Sequence, residues 1–312
     1  MMGSVLTVIL NWRTAEMTLR AARAAVVAME GVPGGIVIVD NASGDGSFEA
    51  LVAGVAGWDR VRVVQSGRNG GFGAGNNVGI RAGLGDGGRP DYVYLLNSDA
   101  FPARDAIRAL RDHLEAHPQM GFAGSYIHGP DGVAHRTAFR FPSIASEFEG
   151  AARFGPISRL LRGSVVALDI PVATGRVDWL AGASIMMRRG VLDRIGLFDE
   201  TFFLYFEETE LCHRAAIAGW PTEYVLESKV EHIGSVSTGM KTWARIPGFW
   251  LESRLHYFTK VHGRFYAGLA TLAHVAGGVL WRARLLVQRK DRGDPPYFLR
   301  DLVGHYMRKV MS

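Results

Sequence analysis

Three observations predict an α/β protein with a mostly parallel central sheet. Short β-branched runs recur along the first part of the chain, at Val5–Leu10, Ile36–Val39, Val61–Gln65 and Tyr92–Leu96. Segments with helical composition separate them, which implies right-handed crossovers between parallel strands. Each apolar run ends in a polar or Gly-rich stretch, and in an open parallel sheet ligands sit at those strand ends.

The elements follow in order. Thr14–Glu30, rich in Ala, Arg, Met and Glu, reads as a helix with Thr14 as its N-cap. Ser47–Val55 and Gly75–Ala82 read as shorter helices, and Ala103–His117 as one bounded by Pro102 and Pro118. Gly129–Thr174 is poorly periodic, carries Pro130, Pro142, Pro156 and Pro171, and is read as an excursion with a helix around Ala145–Phe154. A strand at Ala183–Met187 restores order. In the helix Glu208–Ala218, Leu211, Ala215 and Ala218 share one face, and Gly219 stops it. Thr222–Leu226 reads as a strand, and Trp243–His262 and Phe265–Arg289 as helices. No internal repeat is visible.

Composition bounds the function. The 312 residues are 48% hydrophobic and 21% charged, enough for a real core and incompatible with disorder. A single cysteine, Cys212, cannot form an internal disulfide, and Met1–Ser4 lacks the charged start of a secretory signal, so a reducing, cytoplasmic home is expected. The net charge of +5 is uneven: residues 240–312 hold 13 Lys+Arg against 4 Asp+Glu. The body is therefore mildly acidic and lacks a nucleic-acid motif, so no nucleic-acid partner is expected.

The basic tail points instead to an anionic surface. Phe265–Trp281 is too short and too polar for a membrane span, but Arg264, Arg282, Arg284, Arg289 and Lys290 flank it. The expected role is an amphipathic helix, peripheral on the inner face of the plasma membrane. A homodimer helix or packing on the body are the alternatives.

The strand-end loops carry the chemistry. They are Asn11-Trp12-Arg13, Asp40–Asp45, Ser66–Asn77 and Asn97-Ser98-Asp99. A dinucleotide-binding fingerprint would place its glycines after the first strand, and here they follow the third; no Gly-Lys-Ser/Thr of a P-loop occurs. Asp99 is suited to hold Mg²⁺ or Mn²⁺ against a diphosphate, or to N-cap the helix near Pro102. Glu207 and Glu208 open a helix, where acidic residues are favoured by its dipole. The preceding aromatic run Phe202–Phe206 also suits a desolvated carboxylate acting as general base. His232 is a structural histidine or a metal ligand.

Taken in order, these motifs resemble the family 2 glycosyltransferases, and within them the rhamnosyltransferase-like branch. The resemblance rests on Val8–Trp12, Ile38–Ser47, Asn69–Gly79, Leu95–Asp99, Trp179–Ala183, Phe198–Glu200, Phe203–Arg214 and His232 with Ser235. It covers roughly residues 5–240 and implies a GT-A catalytic domain over 1–240 with a basic helical extension over 241–312. It further implies inverting transfer of rhamnose or another hexose from a nucleoside-diphosphate sugar, dTDP- or UDP-linked, to a glycan or polyprenyl-linked hydroxyl. By position, Asn11, Asp40, Asn41, Asn69, Phe72, Gly73, Asn76, Asn97 and Ser98 would hold the donor. Asp99 and His232 would hold the divalent metal, and Trp179, Ala181 and Gly182 would form the acceptor wall. Glu208 takes the position of the general base, with Glu207 beside it. Two departures stand out: Asn97 replaces the first carboxylate of the metal motif, and Glu208 replaces the usual aspartate. The first departure leaves open a non-catalytic, sugar-nucleotide-binding scaffold. A sugar-nucleotide pyrophosphorylase lacks support, because no Gly-rich basic loop follows Leu10.

Overall fold

The computed structural model describes residues 2–234, 244–289 and 295–310. The sheet grows outward from β1 (Val5–Asn11), whose residues alternate between two buried faces. Through α1 (Ala15–Ala28) the chain reaches β2 (Gly34–Asp40), parallel to β1, and through α2 (Ser47–Gly54) it reaches β3 (Val61–Gln65), parallel to β2. After α3 (Phe72–Ala82), β4 (Tyr92–Asn97) returns to the other side of β1, again parallel. All four strands therefore end on the same edge. Thr14 sits at the N-cap of α1 but makes no side-chain cap bond; its hydroxyl turns to Asn11 and Ser98.

The second half adds β5 (Ala100–Pro102), α4 (Ala106–Ala116), β6 (Phe122–His128) and β7 (Ala138–Phe139), then α5 (Ile144–Ala152) and α6 (Gly155–Leu160). It continues with β8 (Gly175–Val177), β9 (Trp179–Leu180), β10 (Ser184–Arg188), α7 (Arg189–Ile195), α8 (Glu207–Ile217) and β11 (Thr222–His232). Among the described residues the main sheet runs β3-β2-β1-β4-β10-β6-β11-β5, with β8 on β11. β10 is antiparallel to both β4 and β6. β11 extends beyond the expected Leu226 to His232, through an irregularity between Val225 and Lys229, and so carries the histidine to the edge where β4 ends.

Helices cover both faces. α1, α2 and α4 supply Ala22, Ala25, Leu51, Ile107 and Leu110 to one core, and α3, α7 and α8 supply Ile80, Leu192 and Leu211 to the other. A chain of buried hydroxyls crosses the sheet: Tyr94 to Ser184 at 2.8 Å, Ser184 to Ser125 at 2.6 Å and Ser125 to Ser228 at 2.7 Å. It satisfies groups that would each cost free energy if left unbonded.

The expected tail helices are α9 (Gly248–His262) and α10 (Arg264–Gln288), followed by α11 (Phe298–Val310), which the sequence pattern did not announce. Trp243, Ser235, Lys290 and the boundary at 240 lie outside the described residues. α9 and α10 form a third core in which Tyr257, Phe258, Ala267 and Ala270 pack with Phe202, Ile144 and Phe206 of the body. Behind it Glu147 of α5 accepts Arg254 Nη2 at 2.7 Å and contacts His274 Nδ1 at 2.7 Å, and Arg254 is 1% exposed. Burial alone would raise the Glu147 pKa, but the Arg254 charge and the His274 bond outweigh it and hold it below the usual range.

On its outer side α10 is apolar throughout. Leu269, Leu272, Ala276, Val279, Leu280, Ala283, Leu286 and Val287 are all exposed, one turn after another. No described helix is long and apolar enough to cross a membrane.

Arg254→Ala leaves the Glu147 charge buried without its guanidinium. Urea denaturation is expected to show a loss of about 3–5 kcal/mol, with partial recovery in an Arg254→Met/Glu147→Met double variant.

Candidate functional site

The edge where β1, β2 and β4 end opens into a cleft of about 420 Å³. Leu10 lies near the end of β1 and Trp12 follows it, Asn41 follows β2, Asn69, Gly71 and Phe72 precede and open α3, Asn97 ends β4, and Ser98 and Asp99 follow it. The other wall comes from the second half. It consists of Ala181, Gly182 and Ala183 before β10, Phe203, Leu204 and Tyr205 before α8, Glu207 and Glu208 at its start, His232 at the end of β11, and Phe249 of α9.

Two hydrogen-bonded contacts set this geometry. Phe72 N–H donates to the Phe203 carbonyl at 2.9 Å, joining the Gly-rich loop to the aromatic loop. Gly71 permits it: its φ is +89°, and a Cβ there would lie 1.9 Å from the Phe203 oxygen. Asn77 clamps the same seam by donating to the Phe198 carbonyl at 2.9 Å and accepting the Phe198 N–H at 3.1 Å. The chain then turns into α8 through Tyr205 and Phe206, both left-handed at φ +70° and +68°. Two such residues in a row cost about 1–3 kcal/mol each, a strain of the kind held at functional turns.

That turn delivers the two glutamates. Glu207 is 2% exposed and Glu208 half-buried, and one oxygen of each, Oε2, has no hydrogen-bond partner. Burial pushes the Glu207 pKa well above the usual carboxylate range, with the neighbouring Glu208 charge adding to it. Burial also raises that of Glu208, partly offset by backbone N–H bonds, including one from Gly182.

Across the cleft the electrostatics reverse. Asp99 Oδ1 lies 3.0 Å from His232 Nε2, and Oδ2 accepts the Gly234 N–H at 3.2 Å. Burial works to raise the Asp99 pKa, but the bond to His232, its charge and the backbone N–H groups prevail and lower it. Asp99 is not a helix cap: α4 starts at Ala106 with Asp105 before it. Asn97 Nδ2 stands 3.5 Å from the same His232 nitrogen.

The structure brings Asn41, Asn69, Phe72, Asn97, Ser98, Asp99, Ala181, Gly182, Glu207, Glu208 and His232 together around one cleft. It does not bring Asn11, Asp40, Gly73, Asn76 or Trp179 to the wall. Asn11 is fully buried, donating to Asp40 Oδ1 at 2.7 Å and accepting from Thr18 at 2.7 Å. Asp40 also accepts from Ser43 at 2.5 Å, so this cluster shapes the loop under Asn41. Asn76 turns back to the Phe72 carbonyl at 3.0 Å, and a Cβ on Gly73 would press on Phe198 at 2.9 Å. Trp179 stacks on Phe139 at 4.2 Å and donates its indole N–H to the Arg140 carbonyl at 2.9 Å. Phe249 was missed. Its ring lies 5.5 Å from that of Phe203, and only the aromatic pair Phe249-Trp250 in the tail hinted at it.

Comparison with known proteins places this architecture. Residues 3–246 match the model of the "Glycosyltransferase like family 2" family. The chain is 31% identical over 217 residues to an N-acetylglucosaminyl-diphospho-decaprenol L-rhamnosyltransferase of Mycobacterium tuberculosis, covering 66% of this chain and 69% of that one. It is 26% identical to rhamnosyltransferase WbbL of Escherichia coli over 50% of this chain and 58% of the other. Among solved structures, a mannosyltransferase from Pyrobaculum calidifontis in complex with GDP-Man and Mn²⁺ superposes with a TM-score of 0.59 at 15% identity, over 100% of this chain and 81% of that one. GalNAc-T7 with UDP, GalNAc and Mn²⁺ gives 0.58, also at 15% identity, over 99% and 57%. With its parallel strand ends, its paired glutamates and its Asp99–His232 pair gathered on one GT-A scaffold, the chain belongs to the family 2 glycosyltransferases, in their rhamnosyltransferase-like branch.

Proposed function

We propose that this glycosyltransferase moves rhamnose or another hexose from a nucleoside-diphosphate sugar to a hydroxyl of a glycan or polyprenyl-linked acceptor, with inversion at the anomeric carbon. One observation carries the reading. Glu208, half-buried with one buried, unpartnered carboxylate oxygen, shares a cleft with the Asp99–His232 pair. The acceptor hydroxyl gives its proton to Glu208 as its oxygen attacks the sugar from the face opposite the leaving diphosphate. Glu207, more deeply buried, has its pKa raised further, by burial and by the Glu208 charge beside it. No enzyme nucleophile is needed, and Cys212, whose buried thiol is pushed up to about 12, is inert.

Asp99 and His232 present one carboxylate oxygen and one imidazole nitrogen 3.0 Å apart, facing the cleft. That donor set fits a divalent cation, and its nitrogen favours Mn²⁺ over Mg²⁺, which prefers oxygen alone. When bound, the cation neutralises charge on the departing diphosphate. Asn41 and Asn69 lie at the donor end, where Asn41 Oδ1 is buried with no hydrogen-bond partner and suits the N–H of a pyrimidine base. The atom fits a dTDP- or UDP-sugar, and equally a GDP-sugar, whose guanine also carries N–H donors. The relative named for a decaprenol-diphosphate acceptor supports a lipid-linked acceptor here. The apolar wall of Phe203, Tyr205 and Phe249 suits its glycan faces or its lipid.

A lipid-linked acceptor gives the outer face of α10 a purpose. Its exposed apolar ridge contains no acidic residue, and Arg264 and Arg289 stand at its ends. Charge complementarity favours an anionic bilayer over a second copy, which would bring like charges together.

Three measurements test this. Glu208→Gln should lower kcat by at least about 10²-fold while leaving nucleotide affinity unchanged. In the wild type, activity should fall as pH drops through a value above about 4.3, since a raised carboxylate pKa protonates the base early, and the variant should lack that limb. A fully active Glu208→Gln would favour the scaffold reading or a base elsewhere. Asp99→Asn should abolish turnover and remove any Mn²⁺-dependent gain in nucleotide affinity by calorimetry; equal Mn²⁺ dependence in both proteins would refute the assignment. Finally, Leu272→Glu/Val279→Glu/Leu286→Glu should no longer float with anionic liposomes, and salt should weaken flotation of the wild type. Flotation equal to wild type would remove the membrane reading, and loss of a dimer in sedimentation would replace it.

A further inference from the structure

Away from the cleft wall, His113 of α4 and His117, the residue that caps its C-terminus, meet Glu223 at the start of β11. The His117 N–H still donates to the His113 carbonyl at 3.0 Å, which keeps the capping residue one turn above His113. Their rings stack with centroids 4.3 Å apart and an interplanar angle of 30°. His113 Nε2 lies 2.6 Å from Glu223 Oε2, and one donor atom from each of the three residues falls within 4.8 Å of the others. All three are half-buried, which limits competition from water.

His117 supplies a second observation. Its Nδ1 is 2.8 Å from the main-chain carbonyl of His113. A carbonyl only accepts, so Nδ1 carries the proton and Nε2 keeps a free lone pair. Metal-binding imidazoles are held in this way, with the far nitrogen donating to a carbonyl while the near one ligates. The Arg188 guanidinium donates to the carbonyls of Leu114 and His117, which fixes the helix end that carries both rings.

We propose that His113, His117 and Glu223 form a zinc site separate from the donor-site cation. Its ligands are Nε2 of each histidine and one Glu223 oxygen, with water in the fourth position. Two imidazoles and a carboxylate suit Zn²⁺, whereas Mg²⁺ and Ca²⁺ favour all-oxygen sets. Ligand bonds of about 2.0–2.2 Å place tetrahedral donor atoms roughly 3.4 Å apart. The present spacing therefore needs side-chain shifts on the order of 1 Å: the His113–Glu223 contact opens and the remaining separation closes. Glu223 and His232 sit at opposite ends of β11; residues looped out between Val225 and Lys229 shorten the path, and the register on β6 puts the two roughly 20 Å apart. The ion touches no substrate. It fastens the C-terminal turn of α4 to the first residues of β11, the strand that carries His232 to the cleft.

The test uses full-length protein carrying Asp99→Asn, which removes the cleft's metal carboxylate, titrated with Zn²⁺ by calorimetry. One equivalent should bind at micromolar concentration or tighter and raise Tm. Adding His117→Ala should weaken binding at least tenfold and abolish the zinc-dependent rise in Tm. Tm without zinc should fall slightly, because the ring stack and the Nδ1 bond are lost, but it should no longer respond to zinc. Glu223→Gln should lose zinc in the same way. Atomic emission on dialysed protein with an intact cleft repeats the comparison: it should retain one more equivalent of zinc than its His117→Ala variant, at equal transferase activity. Absence of saturable binding, or equal binding in the presence and absence of His117, overturns the site and leaves a His113–Glu223 ion pair. Neither result bears on the Asp99–His232 cation, so the two readings fail separately.

Discussion

The hydrogen bond from the Phe72 amide to the Phe203 carbonyl is the constraint on which the cleft depends. It joins the loop that opens α3 to the loop that opens α8, and Gly71 must be glycine for the two backbones to meet. Once the seam is closed, the Phe72 ring lies edge-on to Phe198, and a Cβ on Gly182 would be 3.2 Å from it. The left-handed turn at Tyr205 and Phe206 is held by aromatic packing behind it, where Phe206 lies 5.5 Å from Tyr257 and 6.1 Å from Trp250. The tail thus supports the geometry of the two glutamates, since Trp250 and Tyr257 both belong to α9.

Within this frame, carboxylates of the same intrinsic acidity are driven apart. Burial raises the pKa of Glu207 and Glu208, whereas that of Asp99, also buried, is lowered by its bond to His232. Such a split is how one site supplies both a proton acceptor and a fixed negative charge near neutral pH.

The sheet's first half was legible because its strands are contiguous apolar runs with β-branched residues, and burial on both faces leaves just that signature. Strand-end residues were legible for the same reason: parallel topology puts them on one edge. Legibility failed where identity depends on what lies opposite. Asn11 and Asp40 end their strands as polar residues should, yet each finds the other 2.7 Å away and turns inward. Asn77, read only as part of a motif, proves to be the clamp on Phe198. β5 and β6 escaped notice because each needs a distant partner, β11 or β10, to be a strand at all. α3 begins at Phe72, three residues before the expected Gly75, because the seam at Phe203 fixes its start. The excursion hid α6, and α7 is too short for a helical period to show.

The reversed direction of β10 has a consequence for how this scaffold diversifies. Its neighbour β4 reaches the cleft with its last residues, whereas β10 reaches it with its first, so Ala181–Ala183 arrive directly from the segment that precedes the strand. That segment is the proline-bearing stretch following β6. Insertions or deletions there would alter the wall at Ala181–Ala183 without disturbing the register of β1, β2 and β4 across the cleft. The two walls of the cleft are thus written on separate lengths of chain, and one can drift while the other is kept.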